Sequence, residues 1–104
     1  MQNSLSTIDT KTEAKLYAIH ADVVNKLDQI RNIYVDYPSY QHAAWIIQEE
    51  YLEVRDELLK KDANWDYTKI YKELIDLITA CYRTIIDRDL QAQVQASIEN
   101  TEDY

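Results

Sequence analysis

Two pairs of carboxylates carry most of the chemistry this sequence offers. Glu50-x-x-Glu53 and Glu73-x-x-Asp76 each set two acids one helical turn apart on the same face. On antiparallel helices, Glu50, Glu53, Glu73 and Asp76 would offer four oxygen donors around one cavity. Hard oxygen ligands select Mg2+ or Mn2+. The chain has no Glu-x-x-His pair, and His20 and His42 are distant from the acidic motifs. That argues against a di-iron bundle, which draws Glu-x-x-His from two helices. A cation held by carboxylates alone keeps bound water and usually serves phosphates.

The elements that must position these acids follow from periodicity. With Glu50 as origin and ~100° per residue, Ala43, Ile46, Ile47 and Val54 fall within roughly 60° of it, and Leu58 a little beyond. Glu50 therefore sits in the middle of an apolar face, with Glu53 and Glu57 toward one edge. Around Glu73, Ile70, Leu77, Ala80 and Thr84 cluster in the same way; Leu74, Cys81 and Ile85 widen that face, and Asp76, Arg83 and Asp87 lie along one edge. Ionised carboxylates in such places are costly unless something positive compensates them, and a shared divalent cation is the economical answer.

The spacing predicts helices over about Tyr40–Lys61 and from near Asp66, separated by D62-A-N-W-D66. Lys60 and Lys61 are expected to close the first of these at its negative end. An earlier helix is expected from a Thr10/Glu13 capping box to about Asn32 or Tyr34, with a stripe of Leu16, Ile19, Val23, Leu27, Ile30 and Tyr34. Pro38 breaks the chain after it, and Ser39 can cap the next helix. From Asp87 the sequence either continues as helix or bends near Asp87–Asp89, with a thin stripe of Leu90, Val94 and Ile98 suited to a neighbouring subunit.

Length and composition set the bounds. One domain over residues 1–104 is expected, with 1–9 and 101–104 as loose tails. No glycine, one proline and 46% apolar residues imply an all-α helical bundle, completed by oligomerisation. A formal charge of -8 disfavours nucleic acid as partner and suits an enzyme that recruits a cation before an anionic substrate. One cysteine excludes an intrachain disulfide and fits a reducing, cytoplasmic compartment. MQNSLSTIDT has no signal-peptide pattern, and no apolar run approaches the ~18–20 residues that span a bilayer, so no membrane association is expected.

The residues from His42 to Asp87 resemble the MazG-like all-alpha nucleoside triphosphate pyrophosphohydrolases. The likeness rests on E50-x-x-E53, nineteen residues (54–72), then E73-x-x-D76, within H-A-A-W-I-I-Q-E-E-Y-L-E-V-R-D-E-L and E-L-I-D-L-I-T-A-C-Y-R-T-I-I-D. The first thirty-five residues match only as an amphipathic helix. The resemblance implies a MazG-like antiparallel bundle, a homodimer or tetramer, and hydrolysis of a nucleoside triphosphate to monophosphate and pyrophosphate. It makes Glu50, Glu53, Glu73 and Asp76 the Mg2+ ligands. Glu49 becomes a candidate to position or deprotonate the attacking water, and Glu57 an outer support or second-metal ligand. Lys69 and Arg83 become candidates for phosphate oxygens, and Trp45, Tyr40 and Trp65 for stacking a base.

Blander readings stand beside these. A single acidic pair on a helix is usually a solvated face; two pairs on apolar stripes at family spacing favour a metal site. Arg83 can equally pair with Glu73, Asp76 or Asp87. His20 and His42 read as packing or helix-end residues, Cys81 as core, Trp45 first as core or interface, and the nine tyrosines as core and interface filling. The alternative to an enzyme is a non-catalytic helical oligomerisation or interaction module, or a nucleotide-binding regulator of the same fold.

Overall fold

The computed structural model describes residues 7–33 and 35–102, the last two by backbone alone. Tyr34, most of the N-terminal tail and the extreme C-terminal residues, for which a helical residue and loose ends were expected, lie outside the described residues. The chain is all-helical: α1 (Thr10–Arg31), α2 (Tyr40–Leu58), α3 (Tyr67–Asp87) and α4 (Leu90–Glu102), with a short 3-10 turn at Asp62–Asn64. No strand is present among the described residues, and no helix there is long and apolar enough to cross a membrane.

The first three helices each start on a side-chain cap. Asp9, rather than Thr10, accepts from the Thr12 amide at 2.7 Å, so the helix begins one residue earlier in phase than a Thr10 cap would set it. Ser39 Oγ accepts from the His42 amide at 3.1 Å, and Asp66 Oδ1 from the Lys69 amide at 3.1 Å. Helix α2 stops at Leu58, short of the expected Lys61. Leu59 caps its end, and the Lys60 side chain folds back onto Glu57. The chain bends after Asp87, where Asp89 takes a left-handed φ of 52°, a conformation aspartate tolerates better than most residues.

Helix α3 is the centre of the molecule. It packs against α1, α2 and α4, whereas α1 and α2 do not approach one another. Being covered on two sides, α3 buries more than one stripe. Ala80 is buried as expected, but so are Ile75, Thr79 and Arg83, while Cys81 is exposed and not core. The second buried edge faces α1, where the Tyr71 hydroxyl donates to Asp22 and His20 packs near Tyr82. The buried apolar set is small: Val23, Tyr37, Ala43, Val54, Ile75 and Ala80. Most of the described tyrosines are exposed, and residues 91–100 of α4 are exposed throughout.

Candidate functional site

Glu50 projects from α2, and Glu73 and Asp76 from α3, because each occupies a core-facing phase of its helix. Their carboxylate oxygens converge to within 4.8 Å of one another. Glu50 Oε2 and Glu73 Oε2 are sealed from solvent and have no hydrogen-bond partner. Buried acceptors left in that state cost stability. The electrostatics agree. Burial, then the charges of Asp76, Glu73 and Glu49, pushes the Glu50 carboxyl above its ordinary range. The Glu73 carboxyl is pushed up first by a hydrogen bond with Glu53, then by burial and by the charges of Glu53 and Asp76.

Three of the four expected ligands thus form the cluster. Glu53 stands beside Glu73 from the exposed side of α2 rather than inside the triad. Glu49 is exposed, next in sequence to Glu50 and near enough to act on its charge.

Glu50 and Asp76 of the cluster line a cleft of about 570 Å³ between α1 and α2, floored by α3. The cleft exists because the two outer helices leave α3 uncovered between them. Lys26 and Ile30 line it from α1, His42, Ile46 and Glu50 from α2, and Asp76, Thr79 and Arg83 from α3. Residues 35–38 close one end as a strap.

That strap is held by the C-terminal end of α3. Arg83 donates to the Val35 carbonyl at 2.8 Å and lies 4.1 Å over the Tyr37 ring. The Tyr37 amide donates to Asp87 Oδ2 at 3.0 Å, and Arg88 to the Pro38 carbonyl at 3.2 Å. The Asp87 side chain is wholly buried and also pairs with Arg31 at 3.3 Å and Arg83 at 3.5 Å. Of the partners expected for Arg83, the structure selects Asp87, and Arg83 also lines the cleft.

Other expected contributors lie elsewhere. Lys69 pairs with Glu57 at 3.2 Å, and Lys60 reaches the same carboxylate at 3.0 and 3.1 Å. Glu57 is buried and held below the ordinary glutamate range, first by Lys60 and then by Lys69. Trp45 is 70% exposed, Tyr40 lies under Arg88, and Trp65 is half-buried; none of the three lines the cleft. The aromatic rings that do are Tyr37 and His42, 5.5 Å apart.

Sequence reasoning missed Lys26. Its signal was present: it lies three residues after Val23, seven after Ile19 and four before Ile30, so a lysine interrupts the apolar phase of α1 as Glu50 interrupts that of α2. Its Nζ stands 3.4 Å from Asp76 Oδ1. Comparison with known proteins adds no identity: no family model, curated protein or solved structure matches the chain.

Proposed function

We propose that this chain is a Mg2+-dependent nucleotide pyrophosphohydrolase of MazG-like type, converting a nucleoside triphosphate and water to the monophosphate and pyrophosphate. The observation that carries this reading is the Glu50–Glu73–Asp76 convergence, with its two sealed and unpartnered oxygens, at the side of a ligand-sized cleft. The residues fit the cation. The donors are all carboxylate oxygens, the choice for a hard divalent ion, and their uncompensated charge is what such an ion would relieve. Bound there, Mg2+ would neutralise phosphate charge and polarise the α-phosphate.

The chain's own groups would do the rest. Glu50, Glu73 and Asp76 fix where the triphosphate enters. The strap and Arg83 bound the other end of the cleft, and Tyr37 and His42 offer flat surfaces to a base. The oxygen of water forms a bond to the α-phosphorus, the bond from that phosphorus to the α–β bridging oxygen breaks, and pyrophosphate departs with the electron pair. Glu53, exposed beside Glu73, and Glu49, exposed beside Glu50, are the carboxylates available to accept the water proton.

A second copy of the chain would complete the body. The accessible surface is 8320 Å², about a third more than the roughly 6,100 Å² a compact monomer of this mass exposes. The radius of gyration is 17.5 Å, against about 13 Å for a compact domain of this length. Leu16, Tyr17 and Val24 of α1 and Val94 and Ile98 of α4 are among the exposed apolar side chains available to such a partner.

The test is pyrophosphate release from a panel of nucleoside triphosphates with Mg2+ or Mn2+, comparing the native chain with Glu50→Gln and Asp76→Asn. Turnover in the native protein, lowered at least ~100-fold in both variants, is expected. Mg2+ and nucleotide binding without turnover would replace the enzyme by a regulator of the same fold. No turnover and no Mg2+-dependent shift in Tm would leave a helical interaction module.

A further inference from the structure

Two cationic side chains among the described residues line the cleft, Lys26 and Arg83. They are committed very differently. Arg83 is buried, hydrogen-bonded to the Val35 carbonyl, stacked on Tyr37 and paired with Asp87. Lys26 has one ion-pair partner, Asp76, at 3.4 Å, beyond the usual N–H to oxygen hydrogen-bond distance, and its side chain is 34% exposed. It also lines a shallower groove on the far side of the same carboxylate, shared with Asp22, Tyr71 and Ile75. The ammonium therefore stands at a junction between two open spaces, on a flexible four-carbon stem.

Asp76 belongs to the carboxylate triad as well as to this ion pair. A divalent cation held by the triad would put two positive charges close to the ammonium. The ion would share the Asp76 charge and repel the ammonium, which weakens a contact that no hydrogen bond holds. The cation also brings phosphate oxygens into the cleft, within the sweep of the Lys26 stem.

Building on the proposed metal reading, we infer that Lys26 is an exchangeable counter-ion: it neutralises Asp76 while the triad lacks a divalent cation, yields Asp76 when the cation binds, and then pairs with phosphate oxygens of the incoming ligand. Lys26 thus competes with the metal and assists the ligand, and removing it should move the two affinities in opposite directions. A lysine that merely supports the fold would not separate them.

The experiment is calorimetric titration of the full chain with Mg2+ alone, and then with inorganic tripolyphosphate at saturating Mg2+, a probe that needs no choice of base. The proteins are the native chain, Lys26→Met and Lys26→Arg, with Lys26→Gln as a second neutral variant should Lys26→Met fail to fold. Mg2+ is expected to bind the neutral variant about 3- to 10-fold more tightly, and tripolyphosphate at least ~10-fold more weakly, with Lys26→Arg near native on both counts. A folded neutral variant that binds Mg2+ no more tightly, or tripolyphosphate no more weakly, overturns the exchange while leaving the metal site standing. A native protein that binds no Mg2+ overturns the metal reading itself, and this inference with it.

Discussion

The same two helices carry buried carboxylates in opposite electrostatic states. Glu57, near the C-terminal end of α2, is gripped by Lys60 and Lys69 and held ionised. Asp87, at the end of α3, is buried among Arg31, Arg83 and the Tyr37 amide. Between them in the helical register lie Glu50, Glu73 and Asp76, with one loose lysine and two oxygens that nothing satisfies. The compensated acids tie elements together: Glu57 joins the α2 end to the start of α3, and Asp87 joins the strap to the end of α3. The triad has only the looser Lys26–Asp76 pair, at 3.4 Å between α1 and α3. Two carboxylate sites thus set one acid against two cations each, while the third sets three acids against one.

The sharpest way to break this contrast is to remove the best-compensated acid. Asp87→Ala leaves the Tyr37 amide without its acceptor and the buried Arg83 guanidinium without its counter-ion, and should cost about 3–5 kcal/mol in urea unfolding, the range for breaking a buried pair. It should also release the strap and so weaken ligand binding in the cleft. A loss under about 1 kcal/mol would mean that the network carries no structural weight.

Glu57→Gln should act in the same direction and less strongly, because Lys60 and Lys69 are half-exposed and regain water. Its pH dependence follows from the sign of the shift. The folded Glu57 carboxyl lies below its unfolded value, so the ion pair contributes stability above the ordinary glutamate range and loses it as pH falls through the folded value. Thermal melts should show Glu57→Gln below the native Tm at pH 7, with the two converging in acid. A constant gap across pH would show that packing, not charge, is what Glu57 supplies.

How much of this was readable from the chain depends on the range of the interaction. Ser39 and Asp66 were legible as caps because a cap is decided within three residues. The placement of Glu50 and Glu73 was legible because both sit at the centre of a helical stripe. Asp76 was legible from its place one turn after Glu73, but the side of α3 that receives α1 was not: periodicity centred the buried face on Glu73 and passed over Ile75 and Thr79. The cleft wall was invisible for the same reason. Arg83 meets Val35, and Asp87 meets Tyr37, across about fifty residues of chain that no local pattern spans. Lys26 was overlooked although, like Glu50, it places a charge in an apolar helical phase.

The uncompensated site makes the reverse prediction, and the smallest. Removing a charge from it should stabilise the metal-free protein. In EDTA at pH 7, Glu50→Gln should raise stability by about 1 kcal/mol, the lower end of what an unsatisfied buried acceptor costs. Here the folded carboxyl lies above its unfolded value, so the folded state holds the proton more tightly. The penalty is absent in acid, grows as pH rises from the ordinary glutamate range into the raised folded range, and is complete above it. The variant and native curves should therefore meet at low pH and separate toward neutrality, with the variant above, where Glu57→Gln lies below. Saturating Mg2+ should invert the order by stabilising only the native protein, by about 2.7 kcal/mol at a hundredfold excess over Kd. If Glu50→Gln is less stable than native in EDTA at neutral pH, the carboxylate has a structural partner after all and the contrast between the two kinds of acid fails.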